Sequence, residues 1–255
     1  MRELRYHAIA DDLRRRVEGG HLGPGRLLPS EAELSAELGA SRVTVRKALE
    51  LLRTEGLVES RQGFGWYVAG APLRQTLGRL GTIEAQLAAS GARAERRVLD
   101  FGFVAASDRD AAPDRDAAPD RVAALLGPGP VLRVRRLNLA DGQPFARVTV
   151  WAPEAVGASL SRDDVERSSF YELLGPRLSR ATQTIGAAAA SAGDAEVLGV
   201  PTGSPVLRCE RVTFDREGEA VLVAEHVFPA LRTEFVVELS SAGDSIAPSG
   251  LRLVD

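Results

Sequence analysis

The sequence predicts an α+β chain of two units. Three short helices closed by a β-hairpin come first, then an antiparallel sheet with helices covering one face. Three observations predict it. Residues 30–65 read as cap, helix, glycine, cap, helix, glycine and a glycine-rich hairpin. A strand–turn–strand pattern occurs twice, Pro130-Val131-Leu132-Arg133 returning as Pro205-Val206-Leu207-Arg208 after a shift of 75 residues. The chain has 255 residues, 44% of them hydrophobic, which suits two modest cores better than one.

In the first unit, Tyr6, Ile9, Ala10, Leu13 and Val17 recur at helical spacing, and Gly19-Gly20 stops that helix. Pro24-Gly25 makes a turn. Ser30 caps a second helix, with Glu33 placed three residues on to complete a capping box. Leu34 and Leu38 give it an inner face, and Gly39 ends it. Ser41 caps a third helix whose apolar side is Val45, Ala48, Leu49 and Leu52, and Gly56 ends it. Leu57–Arg61 and Trp66–Ala69 read as two strands around Gly63-Phe64-Gly65. This order of parts is a winged helix-turn-helix, and it makes duplex DNA the expected partner. Arg42 and Arg46 are four apart and share the face opposite Val45 and Leu49. The helix start adds partial positive charge where a phosphate would sit. An Arg can also fork onto a guanine edge. Taken alone, Arg42, Arg46 and Lys47 would equally suit the solvated face of any helix; the wing and both caps in register select DNA.

Charge and composition narrow the remaining classes. Residues 1–68 hold 11 Lys+Arg against 10 Asp+Glu, so any DNA attraction comes from distribution rather than sum. The basic side chains gather at Arg42, Arg46, Lys47 and Arg61. The lone Cys209 excludes an intrachain disulfide and favours a reducing compartment. No apolar run reaches the roughly 18 residues of a membrane span, and the amino terminus lacks a signal core, so a cytoplasmic location with no membrane partner is expected. His7, His21 and His226 show no metal spacing, and no phosphate loop or nucleophile motif appears. No metal and no cofactor is expected.

Residues 6–69 resemble the winged helix of the GntR family of bacterial transcription regulators. The matching pieces are Leu28-Pro29-Ser30-Glu31, Glu33-Leu34, Ser41-Arg42-Val43-Thr44-Val45-Arg46, Ala48-Leu49 and Glu55-Gly56-Leu57. The resemblance implies DNA contacts at Arg42, Thr44, Arg46 and the wing glycine Gly63. With Ser41, Lys47 and Arg61 these are the candidate DNA-binding residues. Two departures stand out. Ala32 replaces the arginine that usually follows Pro-Ser-Glu, and Phe64 and Trp66 stand in a wing that usually runs Gly-basic-Gly-Thr. The loss at Ala32 removes one expected contact and implies an operator different from the family's common half-site.

The second unit is read from its repeat. In each copy a further arginine follows, Arg136 and Arg211, then a turn, Asp141-Gly142 and Glu217-Gly218, then a strand ending near Pro153 and Pro229. Two helix–strand–turn–strand units make one sheet with pseudo-twofold symmetry, and a cleft between duplicated halves is a natural ligand site. Leu77, Leu80, Ile83 and Leu87 predict a helix entering this unit. Residues 108–119 are a tandem hexapeptide, Asp-Arg-Asp-Ala-Ala-Pro twice, which reads as a flexible surface insertion.

About residues 78–240 resemble the effector-sensing UTRA domain of the HutC subfamily, which has a chorismate-lyase-like fold. The pieces are Arg136-Leu137 leading to Asp141-Gly142-Gln143-Pro144, then Ser169-Phe170-Tyr171-Glu172-Leu173-Leu174, then the second hairpin to Phe228. Strand alternation puts Val134, Arg136 and Asn138 on one face, with Ala146, Val148 and Val150, and with Leu222, Ala224, His226 and Phe228. The resemblance implies arginines at 136 and 138, acids at 148 and 222 and a Tyr at 228 in sugar-phosphate sensors. This chain keeps one of those anchors. The expected effector therefore has an anionic or polar end at Arg136 and an apolar body over Val148, Leu222 and Phe228. Asn138 and His226 would hydrogen-bond, although His226 equally suits a satisfied core histidine. Ser168 or Ser169 would add a hydroxyl, and Thr82, Ile83 and Glu84 lie at a helix start that cradles phosphate in relatives. Arg147 and Glu225 fall on the opposite face and are expected to pair.

The expected function is a ligand-responsive transcription factor acting as a repressor. A homodimer would place two recognition helices one turn apart on an inverted-repeat operator. Its parts would be a DNA-binding domain at 1–69, a linker at 70–77, the effector domain at 78–240 and a tail at 241–255. Two alternatives stay open on sequence: a DNA binder with a degenerate, ligand-independent sensor, and a chorismate-lyase-like enzyme.

Overall fold

The computed structural model describes residues 2–19, 22–23, 25–61, 65–70, 73–76, 93–105 and 119–237. The wing tip with Gly63, the helix expected near 77–87 with Thr82, Ile83 and Glu84, most of the tandem hexapeptide and the tail at 241–255 lie outside the described residues.

The amino-terminal unit contains α1 (Arg2–Glu18), α2 (Glu31–Glu37), α3 (Arg42–Thr54) and a hairpin of β1 (Val58–Arg61) and β2 (Gly65–Val68). Sequence chemistry sets each boundary. The Ser30 hydroxyl accepts the Glu33 amide while the Glu33 carboxylate accepts the Ser30 amide, the reciprocal capping box. Gly39 at φ 57° and Gly56 at φ 74° turn the chain after α2 and α3 through the left-handed region that only glycine enters freely. Leu13, Leu34, Val45, Leu49, Leu52 and Val58 are sealed from solvent and form one core.

The carboxy-terminal unit is a six-stranded antiparallel sheet in the order β4-β5-β6-β9-β8-β7. Its strands are β4 (Ala94–Val104), β5 (Val131–Ala140), β6 (Gln143–Pro153), β7 (Leu178–Ala189), β8 (Pro205–Asp215) and β9 (Ala220–Pro229). The two repeated hairpins meet where β6 pairs β9, Arg147 opposite Val227 through Trp151 opposite Val223. The strands β4 and β7 were not expected; they extend the duplicated sheet at either edge. The helices that open the repeats, α4 (Asp120–Leu126) and α8 (Ala192–Leu198), share one face of the sheet, where Val122 and Leu198 are fully buried. The other face is covered too. There α5 (Glu154–Gly157), α6 (Arg162–Arg167) and α7 (Phe170–Leu174) supply Val165, Phe170 and Leu174 to the largest core cluster. Helices thus cover both faces, because the segment between the repeats carries its own apolar residues.

The stretch read as a linker contains β3 (Leu73–Thr76), which pairs in parallel with β10 (Thr233–Val236). The two units also touch directly. Arg26 donates to Gln143 at 3.2 Å. A Cβ at Gly23 would sit 2.4 Å from Gln143 Cγ, and one at Gly25 would sit 2.5 Å from Arg232 Cγ.

Candidate functional site

Two places carry functional chemistry. The first is the exposed side of α3. Ser41 Oγ accepts the Thr44 amide at 3.2 Å and lies 2.8 Å from Thr44 Oγ1, so both side chains hold the helix start. Because Val45, Ala48, Leu49 and Leu52 face the core, Arg42, Arg46 and Lys47 face solvent, beside Val43 at 68% exposure. Arg46 is fixed rather than loose: its Nε and Nη2 fork onto the Glu31 carboxylate at 2.8 and 2.6 Å. Trp66 Nε1 donates to the same carboxylate at 3.3 Å. The Arg46 bond holds the Glu31 carboxyl below the usual carboxylate range, with Trp66 and the Arg42 charge adding to it against a small burial penalty. This arrangement leaves the Nη1 edge of Arg46 to meet a phosphate or base edge. Arg61 is exposed at the end of β1, opposite Gly65 of the wing.

The second place is a cavity on the α6–α7 face of the sheet, about 60 Å³ in volume. Of the expected effector residues, Arg136, Asn138, Val148, Ser169, Leu222, His226 and Phe228 line it together. Ser168 does not; it lies behind the wall, where its carbonyl accepts a long 3.5 Å bond from Arg136 Nη1. Val134 is buried in the core rather than at the cavity. Arg136 is 5% exposed, donates to the Val165 carbonyl at 2.8 Å and stacks 5.3 Å from the Phe170 ring. The register explains the assembly. Arg136 pairs with Val148, Val148 with His226, and His226 with Cys209, so one row of side chains crosses four strands.

Six cavity residues were missed: Phe170, Tyr171, Gln183, Cys209, Arg211 and Thr213. Arg211 donates to Gln183 at 2.7 Å and to the Tyr171 hydroxyl at 3.3 Å, and Tyr171 lies 3.2 Å from Thr213 Oγ1. The recurrence of Arg136 as Arg211 in the repeat was the signal for it. The second row, Val134-Val150-Ala224-Arg211, mirrors the first. Electrostatics follow from this crowding. His226 is pushed down to about 3, by burial first and then by the Arg211 and Arg136 charges, and its Nδ1 has no hydrogen-bond partner among the described residues. It is therefore a neutral group at neutral pH. Burial pushes the Cys209 thiol up to about 12, which makes it an inert wall residue.

On the opposite face Arg147 does pair with Glu225, at 2.9 Å, and also with Asp194 at 2.7 Å. This cluster belongs to packing, not to the cavity.

A family model for bacterial regulatory proteins of the gntR family matches residues 5–68, and one for the UTRA domain matches residues 89–234. The chain belongs to the GntR family. Within it, the UTRA match makes this a HutC-type regulator, a DNA-binding protein with an effector domain. It is 34% identical to the HTH-type transcriptional regulator Rv0792c of Mycobacterium tuberculosis, over 91% of this chain and 84% of that protein. It is 29% identical to the HTH-type transcriptional repressor NagR of Bacillus subtilis, over 91% of this chain and 93% of that one. Among solved structures, PhnF of Mycobacterium smegmatis superposes with a TM-score of 0.59 at 26% identity, covering 91% of this chain and 99% of that one. No helix among the described residues of this GntR protein is long and apolar enough to cross a membrane.

Proposed function

We propose that this protein is a cytoplasmic repressor that leaves its operator when a small molecule fills the cavity lined by Arg136 and His226. The observation that carries the DNA half is the solvent face of α3, where Arg42, Arg46 and Lys47 stand on a helix whose other side is locked into the core. Ser41 and Thr44 fix the helix start and Glu31 aims Arg46. Arg61 and Gly63 of the wing would follow the sugar–phosphate rail. Two copies related by a twofold axis would read an inverted repeat with half-sites one helical turn apart. In the effector half, Arg136 takes the anionic end. Asn138, Ser169 and His226 give hydrogen bonds, and Val148, Leu222 and Phe228 hold the apolar body. Thr82, Ile83 and Glu84 are further effector contacts that the family resemblance implies, and Ser168 acts through its carbonyl on Arg136. We take 1–69 as the DNA-binding domain, 70–77 as a linker that lends one strand to the sensor, 78–240 as that sensor and 241–255 as a tail. We read the protein as a regulator and not an enzyme because the family models and curated relatives are those of transcriptional regulators.

The test is a selection of duplex fragments from a genomic pool at low ionic strength, followed by titration of the selected fragment. The expected result is a palindromic site whose binding weakens in Arg42→Ala and Arg46→Ala and is released by a metabolite that also raises the melting temperature. A pool left unselected refutes the DNA reading. A selected site that no melting-shift ligand affects refutes the sensor reading.

A further inference from the structure

Among the described residues Val43 is the most exposed of the large hydrophobic side chains, at 68% against 53% for the next, Val237. A lone exposed valine is ordinary on a protein surface. Its place in the fold is what gives this one meaning. Val43 is the second residue of α3 and stands three and four residues before Arg46 and Lys47, so the three share the solvent face of that helix. Val45, the other valine of the same turn, is fully buried and packs in the core of the unit, to which Val43 contributes nothing. In a winged helix-turn-helix the first residues of this helix stand at the base edges of the major groove.

The polar neighbours of Val43 are partly engaged within the protein. Ser41 Oγ accepts the Thr44 amide at 3.2 Å and lies 2.8 Å from Thr44 Oγ1. Arg46 gives its Nε and Nη2 to the Glu31 carboxylate. The first turn therefore presents to a base edge chiefly the Arg42 guanidinium, the Val43 isopropyl group and one edge of Arg46. An isopropyl group neither gives nor accepts a hydrogen bond. Packed on the N7 and O6 of guanine, the N7 and N6 amino group of adenine or the N4 amino group of cytosine, it would strip water from polar atoms and offer nothing in return. Thymine alone carries an apolar group in the major groove, its C5-methyl. A β-branched side chain in a helix is held largely in one rotamer, so the valine methyls are already in place and little freedom is lost on contact.

We propose that Val43 is a specificity-determining residue that reads a thymine of the operator through its C5-methyl group. The proposal rests on α3 lying in the major groove, and it adds a base reader that none of the polar side chains around it supplies.

The experiment uses the full chain and the duplex it selects from a genomic pool, resynthesised with one thymine at a time replaced by deoxyuridine in both half-sites. That change removes a methyl group and leaves base pairing and every hydrogen-bonding edge in place. Binding is titrated at several salt concentrations for the parent and for Val43→Ala. The expected result is one thymine in each half-site whose methyl loss weakens binding about fourfold per half-site, the worth of one buried methyl group. Val43→Ala should weaken binding to the thymine duplex to a similar extent and bind the thymine and deoxyuridine duplexes within about twofold of each other. It should keep the parent's salt slope, because no phosphate contact is lost. Its melting temperature should stay within about 2 °C of the parent's, as befits an exposed site. If no thymine responds to methyl loss in the parent, the proposal is refuted, and that arm needs no variant. If one responds equally in the parent and in Val43→Ala, another side chain reads it, and the proposal is refuted while the docking of α3 stands. If Val43→Ala flattens the salt slope, Val43 acts on the register of the backbone and not on a base, and the proposal fails in the same way. If no duplex is selected at all, the groove reading of α3 falls and takes Val43 with it.

Discussion

Replacing Arg147 with Met should unfold this protein more readily than any surface change, because of what the arginine leaves behind. Arg147 is 7% exposed and donates to Asp194 at 2.7 Å, to Thr149 at 2.8 Å and to Glu225 at 2.9 Å. Glu225 keeps Arg208 at 2.6 Å and Arg121 at 3.3 Å after the change. Asp194, 8% exposed, keeps only the Ser191 hydroxyl at 2.8 Å as a side-chain hydrogen-bond partner. One buried carboxylate is therefore stranded, which costs about 3–5 kcal/mol. For a chain of this size that is a fall in Tm of roughly 6–20 °C. The pH dependence has a definite sign. Burial pushes Asp194 and Glu225 up, but the Arg147 bonds and charge outweigh it and hold both below the ordinary carboxylate range. Their contribution is thus full above the ordinary values near 4 and is lost as pH falls through the lower folded values. In Arg147→Met the stranded Asp194 should instead lose less stability on acidification than the parent. Urea denaturation at pH 7 and pH 3 measures both effects, and Arg147→Met/Asp194→Asn should recover most of the loss. A loss below 1 kcal/mol, or one that the second substitution does not relieve, would refute the reading that the change strands a buried carboxylate at Asp194.

Three further outcomes are expected. Arg42→Ala and Arg46→Ala should each weaken operator binding by about 1–3 kcal/mol if they read a base, and flatten the salt dependence by about one unit if they hold a phosphate; a gel-shift titration at several salt concentrations separates the two. His226, held near 3 in the folded chain, takes up no proton on mild acidification while the unfolded chain does. Stability should fall by up to about 1.4 kcal/mol per pH unit below pH 6.5, and His226→Asn should flatten that slope. Cys209, 1% exposed with its thiol pushed up to about 12, should resist a thiol-specific reagent under native conditions and react at once in urea.

The amino-terminal unit was legible residue by residue because its signals are local. Ser30, Glu33, Ser41, Gly39 and Gly56 act within one helical turn of themselves, and each stands at the boundary read from sequence. The repeat was legible for the same reason: two hairpins with turns at Asp141-Gly142 and Glu217-Gly218 announce themselves. What sequence did not give was the order of strands. Arg211 was seen to match Arg136, yet only the pairing of β6 with β9 brings it into the same cavity. The edge strands escaped for a different reason. Most of β7 is exposed and runs through Thr182, Thr184, Gly186 and Ala187, so it shows no inside–outside alternation. In β4 a register shift between Val98 and Asp100 breaks the alternation. The parallel pair of β3 with β10 joins segments far apart in the chain, and no local pattern marks such a contact.

The cavity and the DNA-binding unit are joined by short, stiff routes. The β5–β6 hairpin carries Arg136 and Asn138 at the cavity and, at its tip, Gln143 under Gly23 and beside Arg26. The β9 strand carries His226 and Phe228 at the cavity and runs straight on to Arg232 under Gly25. Phe228 also meets Phe235 of β10 edge-on at 5.7 Å, and β10 holds the strand β3 that enters the linker. At Gly23 and Gly25 the side chains of Gln143 and Arg232 lie where a Cβ would stand, so they pack directly on glycine backbone. Arg232 makes this junction unfavourable in itself. It is 6% exposed, its Nε and Nη2 have no hydrogen-bond partner among the described residues, and burial and then the Arg26 charge push it down to about 10. Its Nη1 does donate to the Pro144 carbonyl at 2.8 Å and to the Leu198 carbonyl at 3.4 Å, so part of that burial cost is met. Contact by itself transmits nothing; a ligand moves the DNA-binding unit only by the difference between its affinities for the closed and open junctions.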